Sequence, residues 1–229
     1  MLIRVCRMSG VMRVMHWLLV LSVAACLVTG IYMATPFGFR GLGQGPADTL
    51  VMGNMRFIHF VFAMLLDVAF LVWFYLFFFS LEAPFYTHIV PVGQRAREAW
   101  QMLCHYMTLR NKPRTRAHTD PLNAYGFIIM HFLVLVQMVT GFALMRPTFS
   151  NANSLLPLWP WLLKVSEWGS VFFFGTIVAV RQVHHLTAFV ILALALCRIY
   201  VQIWRESFWT EGHISVVVSG CKYIEEEQP

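Results

Sequence analysis

Five histidines of this 229-residue chain stand in or at the ends of long apolar runs: His16, His59, His131, His184 and His185. Ionisable side chains are rare at membrane depth, and those that occur there usually face the interior of a helix bundle and have a function. A neutral imidazole keeps one nitrogen lone pair, which can bind a haem iron. A single histidine can equally be a hydrogen-bonded packing residue, but two at matching depth on different helices can hold one iron between them.

His59 and His184 form such a pair, because each stands where its apolar run begins on the same predicted side of the membrane. They predict a haem b with two histidine ligands, and the lack of a CxxCH motif argues against covalent attachment of that haem. Arg56 and Arg181 each precede one of these histidines by one helical turn. Guanidinium groups bind carboxylates, so both arginines are candidate contacts for the haem propionates. The simpler interpretation is that each arginine anchors its helix at the interface.

The composition predicts an integral membrane protein. Hydrophobic residues make up 59% of the chain, charged residues 12%, and the mean hydropathy is +0.64. Such a chain has no room for a separate soluble catalytic domain. Runs of about 20 apolar residues cross a bilayer as helices. Four of them are predicted, at residues 14–34, 57–80, 124–145 and 184–204.

The predicted fold is an all-α bundle of four transmembrane helices that binds haem b, with residues 1–229 in a single domain. A weaker apolar run at residues 168–180 is too short to cross and predicts an interfacial segment leading into the fourth helix. Residues 205–229 are predicted to form a cytoplasmic tail.

Lysine and arginine predict the orientation, since they accumulate in cytoplasmic segments. They concentrate near the N-terminus, between the second and third spans, and towards the C-terminus: Arg4, Arg7, Arg13, Arg95, Arg97, Arg110, Lys112, Arg114, Arg116, Arg198, Arg205 and Lys222. Both termini are therefore predicted to be cytoplasmic. The net charge of +6 fits contact with anionic lipid and gives no reason to expect nucleic acid.

The five cysteines show no CxxC or CxxCH spacing. Their scatter argues against a zinc site and covalently bound haem, and a disulfide framework is not expected either.

Several strings, in order along nearly the whole chain, resemble the b-type cytochrome subunit of membrane-bound nickel-iron hydrogenases. They are "MRVMHWLLVL", "MRFIHF", "DPLNAYGF", "MVTGFALM", "VHHL", "RIY" and "HISVVVSGCK". Related haem subunits serve formate dehydrogenases and thiosulfate reductases.

The resemblance implies a multi-pass subunit of the bacterial cytoplasmic membrane with no hydrogen chemistry of its own. It would anchor the small and large subunits of a periplasmic hydrogenase and pass electrons from the small subunit's iron-sulfur clusters through two haems to quinone. The resemblance further implies that His59 and His184 ligate the outer haem. It gives the inner haem His16 and a histidine 14 residues after His184, where this chain has Arg198.

Arg198 departs from the family pattern, and a guanidinium has no lone pair to offer a metal. Three alternatives follow. The inner haem takes another imidazole, that of His131 or, as a weaker candidate, His105. In the second alternative, the inner haem is five-coordinate, with His16 as its one histidine ligand. In the third, the inner haem is absent, and His16 and Arg198 serve a quinone or its protons.

His185 is the neighbour of a proposed ligand, and adjacent helical residues point about 100° apart, so only one of the two can bind the iron. The resemblance favours His184, while His185 can contact a propionate, face a partner, or be the ligand itself if the register shifts by one. A different class of function, a transporter or a structural anchor without haem, gives the histidines proton-carrying or packing roles.

Overall fold

The computed structural model describes residues 2–6, 8–35, 46–79, 93–108, 121–149, 158–209 and 214–225. These ranges contain seven helices and two strands. The helices are α1 (Gly10–Ala34), α2 (Pro46–Phe79), α3 (Gln94–Thr108), α4 (Pro121–Phe149), α5 (Trp159–Phe174), α6 (Ile177–Trp209) and α7 (Ile214–Ser219), and the strands are β1 (Leu2–Cys6) and β2 (Cys221–Glu225).

Four of the described helices are long and apolar enough to cross a membrane, which confirms the predicted integral membrane protein with four helical spans. The candidate spans are Gly10–Ala34, Leu50–Leu76, Tyr125–Arg146 and Ile177–Trp204. The predicted start of the fourth span, at residue 184, was seven residues too late, because α6 already begins at Ile177. His184 therefore lies two turns inside its helix.

The predicted interfacial segment at residues 168–180 is split between two helices by Gly175. This glycine has a φ of +86°, a left-handed conformation that ends α5 and that other residues adopt at a cost. The Thr176 hydroxyl then accepts the Ala179 backbone N–H at 3.2 Å and caps the start of α6. Residues 168–174 thus belong to α5 and residues 177–180 to the fourth span, so the prediction of one continuous segment was wrong.

Helix α5 packs against α4. With 16 residues, or about 24 Å, α5 is too short to cross a bilayer. Phe142 and Trp159 meet edge to face with ring centroids 5.8 Å apart, and Arg146 pairs with Glu167. The residues of α5 that are buried are spaced three and four apart along one face: Leu163, Ser166 and Ser170.

The chain divides into two compact units, Met1–Phe85 with Ile199–Pro229 and Tyr86–Arg198. In the first unit α1 packs along α2. Ser22 of α1 and Ala69 of α2 are fully buried, as expected where small residues let transmembrane helices approach closely. In the second unit α4 packs against α3 and α5 and is hydrogen-bonded to α6. That the whole chain forms a single domain stays a prediction.

The two terminal segments form a two-stranded antiparallel sheet, which adds two five-residue strands to the described helices and leaves the predicted all-α class in place. Cys6 lies opposite Cys221 in this sheet, and the two cysteines form a disulfide. A disulfide was not expected, because the partners are 215 residues apart and no local spacing pairs them. The pairing of β1 with β2 agrees with both termini lying on one side of the membrane. That this side is the cytoplasm, where thiols are normally kept reduced, stays a prediction.

The C-terminal segment is fastened to the start of α1 by three hydrogen bonds. The Met8 N–H donates to the Gly220 carbonyl at 3.2 Å. Arg13 Nη1 donates to the Val218 carbonyl at 2.9 Å, and Trp17 Nε1 donates to the Val217 carbonyl at 3.2 Å. The segment predicted to be a cytoplasmic tail is thus held, over Ile214–Glu225, by ordered contacts with the N-terminal segment.

Replacing Gly220 with alanine is expected to loosen this attachment. Gly220 has a φ of +82°, and a Cβ at this position would stand 2.6 Å from the Met8 carbonyl oxygen. Strain of this kind costs about 1–3 kcal/mol. We expect a lower unfolding temperature of the detergent-solubilised protein and faster proteolysis of the C-terminal segment.

Gly53→Ala is the matched control, because a Cβ at this helical glycine meets nothing within 4 Å. Equal stability of the Gly220 and Gly53 variants would show that the close contact with Met8 does not hold the C-terminal segment in place.

Candidate cofactor site

His59 is held against α1 by Thr29. Its ring nitrogen Nδ1 lies 2.9 Å from Thr29 Oγ1. The only hydroxyl proton of Thr29 is directed to the Ala25 carbonyl, 2.7 Å away, so the threonine oxygen must accept from the ring. His59 therefore carries its proton on Nδ1, and the lone pair is on Nε2.

His184 is held in the same way against α4 in the second unit. Its Nδ1 lies 2.9 Å from Thr140 Oγ1, and the Thr140 hydroxyl donates to the Val136 carbonyl at 2.7 Å. The same proton count applies, so the lone pair of His184 is also on Nε2. Two histidines on different helices thus have the same tautomer, fixed by the same kind of partner.

Each threonine is followed by a glycine whose backbone lies against the ring. A Cβ on Gly30 would stand 3.4 Å from Cε1 of His59, and a Cβ on Gly141 would stand 3.5 Å from Cε1 of His184. These are ordinary contact distances, so alanine could replace either glycine without displacing the ring. Orientation of the ring comes from the threonine hydroxyl and not from the glycine.

Sequence reasoning missed these threonines, although it had a signal for them. The triplet Val-Thr-Gly occurs at residues 28–30 and again at residues 139–141. This repeat places a threonine in two apolar runs, each followed by a long helix that carries a histidine, but it does not by itself identify the hydrogen bond.

The backbone carbonyls of the two histidines have different partners. The Cys26 thiol approaches the His59 carbonyl at 3.8 Å, which is a weak contact. Gln137 Nε2 donates to the His184 carbonyl at 3.1 Å, and the Thr187 hydroxyl bonds to the Gln137 side-chain oxygen. Helix α6 is therefore tied to α4 by an amide network at the His184 carbonyl.

His185, Arg56 and Arg181 are all exposed. The rings of His184 and His185 are 6.4 Å apart and tilted by 59°, so only His184 packs against Thr140. The exposure of both arginines fits interfacial anchors as well as propionate contacts.

The residues suggested for an inner haem have separate environments. His16 is half-buried on α1, and His131 of α4 donates from Nδ1 to the Phe127 carbonyl at 2.8 Å, which leaves its lone pair on Nε2. His105 is buried on α3, and Arg198 of α6 is exposed.

These features define a four-span helical membrane protein in which two imidazoles have the same tautomer and the same kind of partner. They lie nine residues after Leu50 and seven after Ile177, where their spans begin. The model of the prokaryotic cytochrome b561 family matches residues 7–220, and the chain belongs to this family.

Curated relatives cover nearly the same extent. A probable Ni/Fe-hydrogenase B-type cytochrome subunit of Azotobacter vinelandii is 25% identical over 95% of this chain and 88% of its own length. A protein of the same name from Rhodobacter capsulatus is 24% identical over 94% of this chain and 80% of its own length. The probable Ni/Fe-hydrogenase 1 B-type cytochrome subunit of Escherichia coli K12 is 27% identical over 92% of this chain and 87% of its own length.

A cytochrome b family implies haem b as the cofactor, and the described residues fit it. Histidines that bind a metal through one ring nitrogen usually donate a hydrogen bond from the other, which fixes the tautomer. His59 and His184 both donate from Nδ1 to a threonine, which leaves the lone pair on Nε2. Both imidazoles thus have the protonation state that an axial ligand requires.

Proposed function

We propose that this protein is the haem-bearing membrane subunit that carries electrons from a periplasmic nickel-iron hydrogenase to quinone in the bacterial cytoplasmic membrane. Its partners are then the small and large subunits of the hydrogenase, with membrane lipid around its four spans. The assignment is supported by the names of the relatives, whose similarity to this protein extends over more than nine-tenths of the chain.

One observation carries the haem assignment: the same threonine–histidine hydrogen bond occurs in each unit. His59 and His184 are proposed as the two axial ligands of one haem near the outer surface, where the basic residues Arg56 and Arg181 are available to its propionates. When bound, the haem supplies a site that accepts and releases one electron. The chain itself holds the two rings in their orientation and keeps the site in the membrane.

Formate dehydrogenase or thiosulfate reductase as the soluble partner requires the same haem chemistry in this chain. The hydrogenase is preferred because the relatives cited above bear hydrogenase names. A transporter or a structural anchor without haem gives no reason for two histidines to share one tautomer and one kind of partner.

The experiment is an absorption spectrum of membranes in which this chain is co-expressed with the oxidoreductase subunits proposed as its partners. Dithionite is expected to produce the α-band of a b-type haem, and hydrogen gas is expected to produce the same band without dithionite. Reduction by formate but not by hydrogen would reassign the partner. A colourless preparation after haem supplementation would exclude the electron-transfer function.

A further inference from the structure

We infer that Thr29 and Thr140 are positioning residues that set the midpoint potential of the haem proposed to lie between His59 and His184. This inference rests on the proposed function. The threonines act through the imidazoles, since each accepts the Nδ1 proton of one ring at 2.9 Å.

The direction of these hydrogen bonds follows from counting protons. Each threonine has one hydroxyl proton, and a backbone carbonyl four residues earlier takes it at 2.7 Å in both helices. That donation polarises the hydroxyl oxygen, which makes it a better acceptor for the ring. Both rings are thus held as the same tautomer.

Burial makes the threonines the fixed partners of the rings. Thr29 is 4% exposed and Thr140 is 1% exposed, so water has little access to either hydroxyl. If the hydroxyl were removed, the Nδ1 proton would lose the threonine oxygen as its acceptor. The histidine Nδ1–H would then be a buried donor without the threonine acceptor, which destabilises this ring position.

The hydrogen bond also changes the electronic character of the ligand. A histidine that donates from Nδ1 is a more basic ligand at Nε2. A more basic ligand stabilises ferric over ferrous iron, so hydrogen bonding around the axial ligand lowers the potential. Because each unit supplies the same threonine–histidine hydrogen bond, each threonine is expected to lower the midpoint potential of the haem.

A purely structural role is the competing explanation, since threonines in membrane helices often bond back to their own helix. Two substitutions separate the explanations. Thr29→Val and Thr140→Val keep the volume and remove the acceptor, whereas Thr29→Ser and Thr140→Ser keep the acceptor and remove a methyl group. Thr108→Val is a matched control, because the Thr108 hydroxyl makes the same 2.7 Å bond to the carbonyl four residues earlier at an exposed site.

The test is a potentiometric titration of the full complex in membranes, with haem quantified as its pyridine haemochrome. We expect each valine variant to shift the same redox wave to a more positive potential, the double valine variant to shift it further, and the serine variants and Thr108→Val to keep the wild-type value. If a valine variant loses the haem, retention of haem at the wild-type potential in the serine variant supports the inference.

Three results would overturn the inference. They are an unshifted wave in valine variants that retain the haem, an equal shift in Thr108→Val, and loss of haem in the serine variants as well. Shifts of two different waves by Thr29→Val and Thr140→Val would disprove the assignment of both threonines to one haem. A wild-type complex without haem would instead overturn the proposed function, before any variant is compared.

Discussion

Replacing either His59 or His184 with alanine is expected to abolish the haem at this site and to stop the reduction of quinone by hydrogen. Iron held by two imidazoles loses half of its axial ligation when one is removed, and the neutral methyl group of alanine supplies no lone pair. The hydrogenase subunits should still reduce an artificial dye, since the proposed function assigns hydrogen splitting to those subunits and not to this chain. The measurements are the haem-to-protein ratio and the rates of dye and quinone reduction in the same membranes.

His185→Ala is the matched control for His184→Ala, because it removes the adjacent imidazole from an exposed position. We expect this variant to retain the haem and the quinone activity. The opposite result, with haem kept in His184→Ala and lost in His185→Ala, would move the ligand by one residue. Full haem content and full quinone reduction in His59→Ala would show that this histidine is not a ligand.

The second large effect is expected at His131. We expect two haems per chain in the wild type and one in His131→Ala. Arg198 cannot bind iron, whereas His131 donates its Nδ1 proton to the Phe127 carbonyl at 2.8 Å and so has the lone pair on Nε2. Of the three alternatives for the inner site, this tautomer favours a substitute ligand.

Counting haems as the pyridine haemochrome separates the alternatives. One haem in the wild type would mean that the inner haem is absent. Two haems in both the wild type and His131→Ala would exclude His131 as the ligand and leave an iron bound by His16 alone or by His16 with His105. The control is Phe132→Ala, which removes an exposed apolar side chain next to His131 and should leave two haems.

The four spans were predictable because lipid imposes a strict requirement on the backbone. An apolar run of about 20 residues must satisfy its hydrogen bonds within a helix, so its length and composition identify it. The break at Gly175 was not predicted, since one glycine inside an apolar stretch is compatible with a continuous helix. Only its positive φ makes it the end of α5.

The sequence contains no signal for the terminal sheet that is comparable to the long apolar runs of the spans. Strands β1 and β2 are five residues each, and the partners of every pair lie at opposite ends of the chain. Pairing of this kind depends on the docking of the C-terminal segment against α1, through contacts such as that between Arg13 and Val218. Residue types near either terminus do not reveal it.

The candidate ligand histidines were predictable from residue type, whereas the threonines that hydrogen-bond to them were not. A histidine in an apolar run is conspicuous because it is ionisable, and His59 and His184 were identified for that reason. A threonine in the same setting is ordinary, since it can bond to its own helix. The spacing also differs, 30 residues between Thr29 and His59 and 44 between Thr140 and His184, so no fixed motif marks the pair.

The bond between Cys6 and Cys221 closes a covalent ring that contains all four candidate spans. Cys221 lies beyond the last of the four candidate membrane-spanning helices, so it emerges from the ribosome after all of them. The ring can therefore close only after all four candidate spans have been synthesised and the segments that carry the two cysteines have met. An oxidised link would mark a molecule that has completed its insertion, whereas an intermediate still being threaded into the bilayer would keep both sulfurs as thiols.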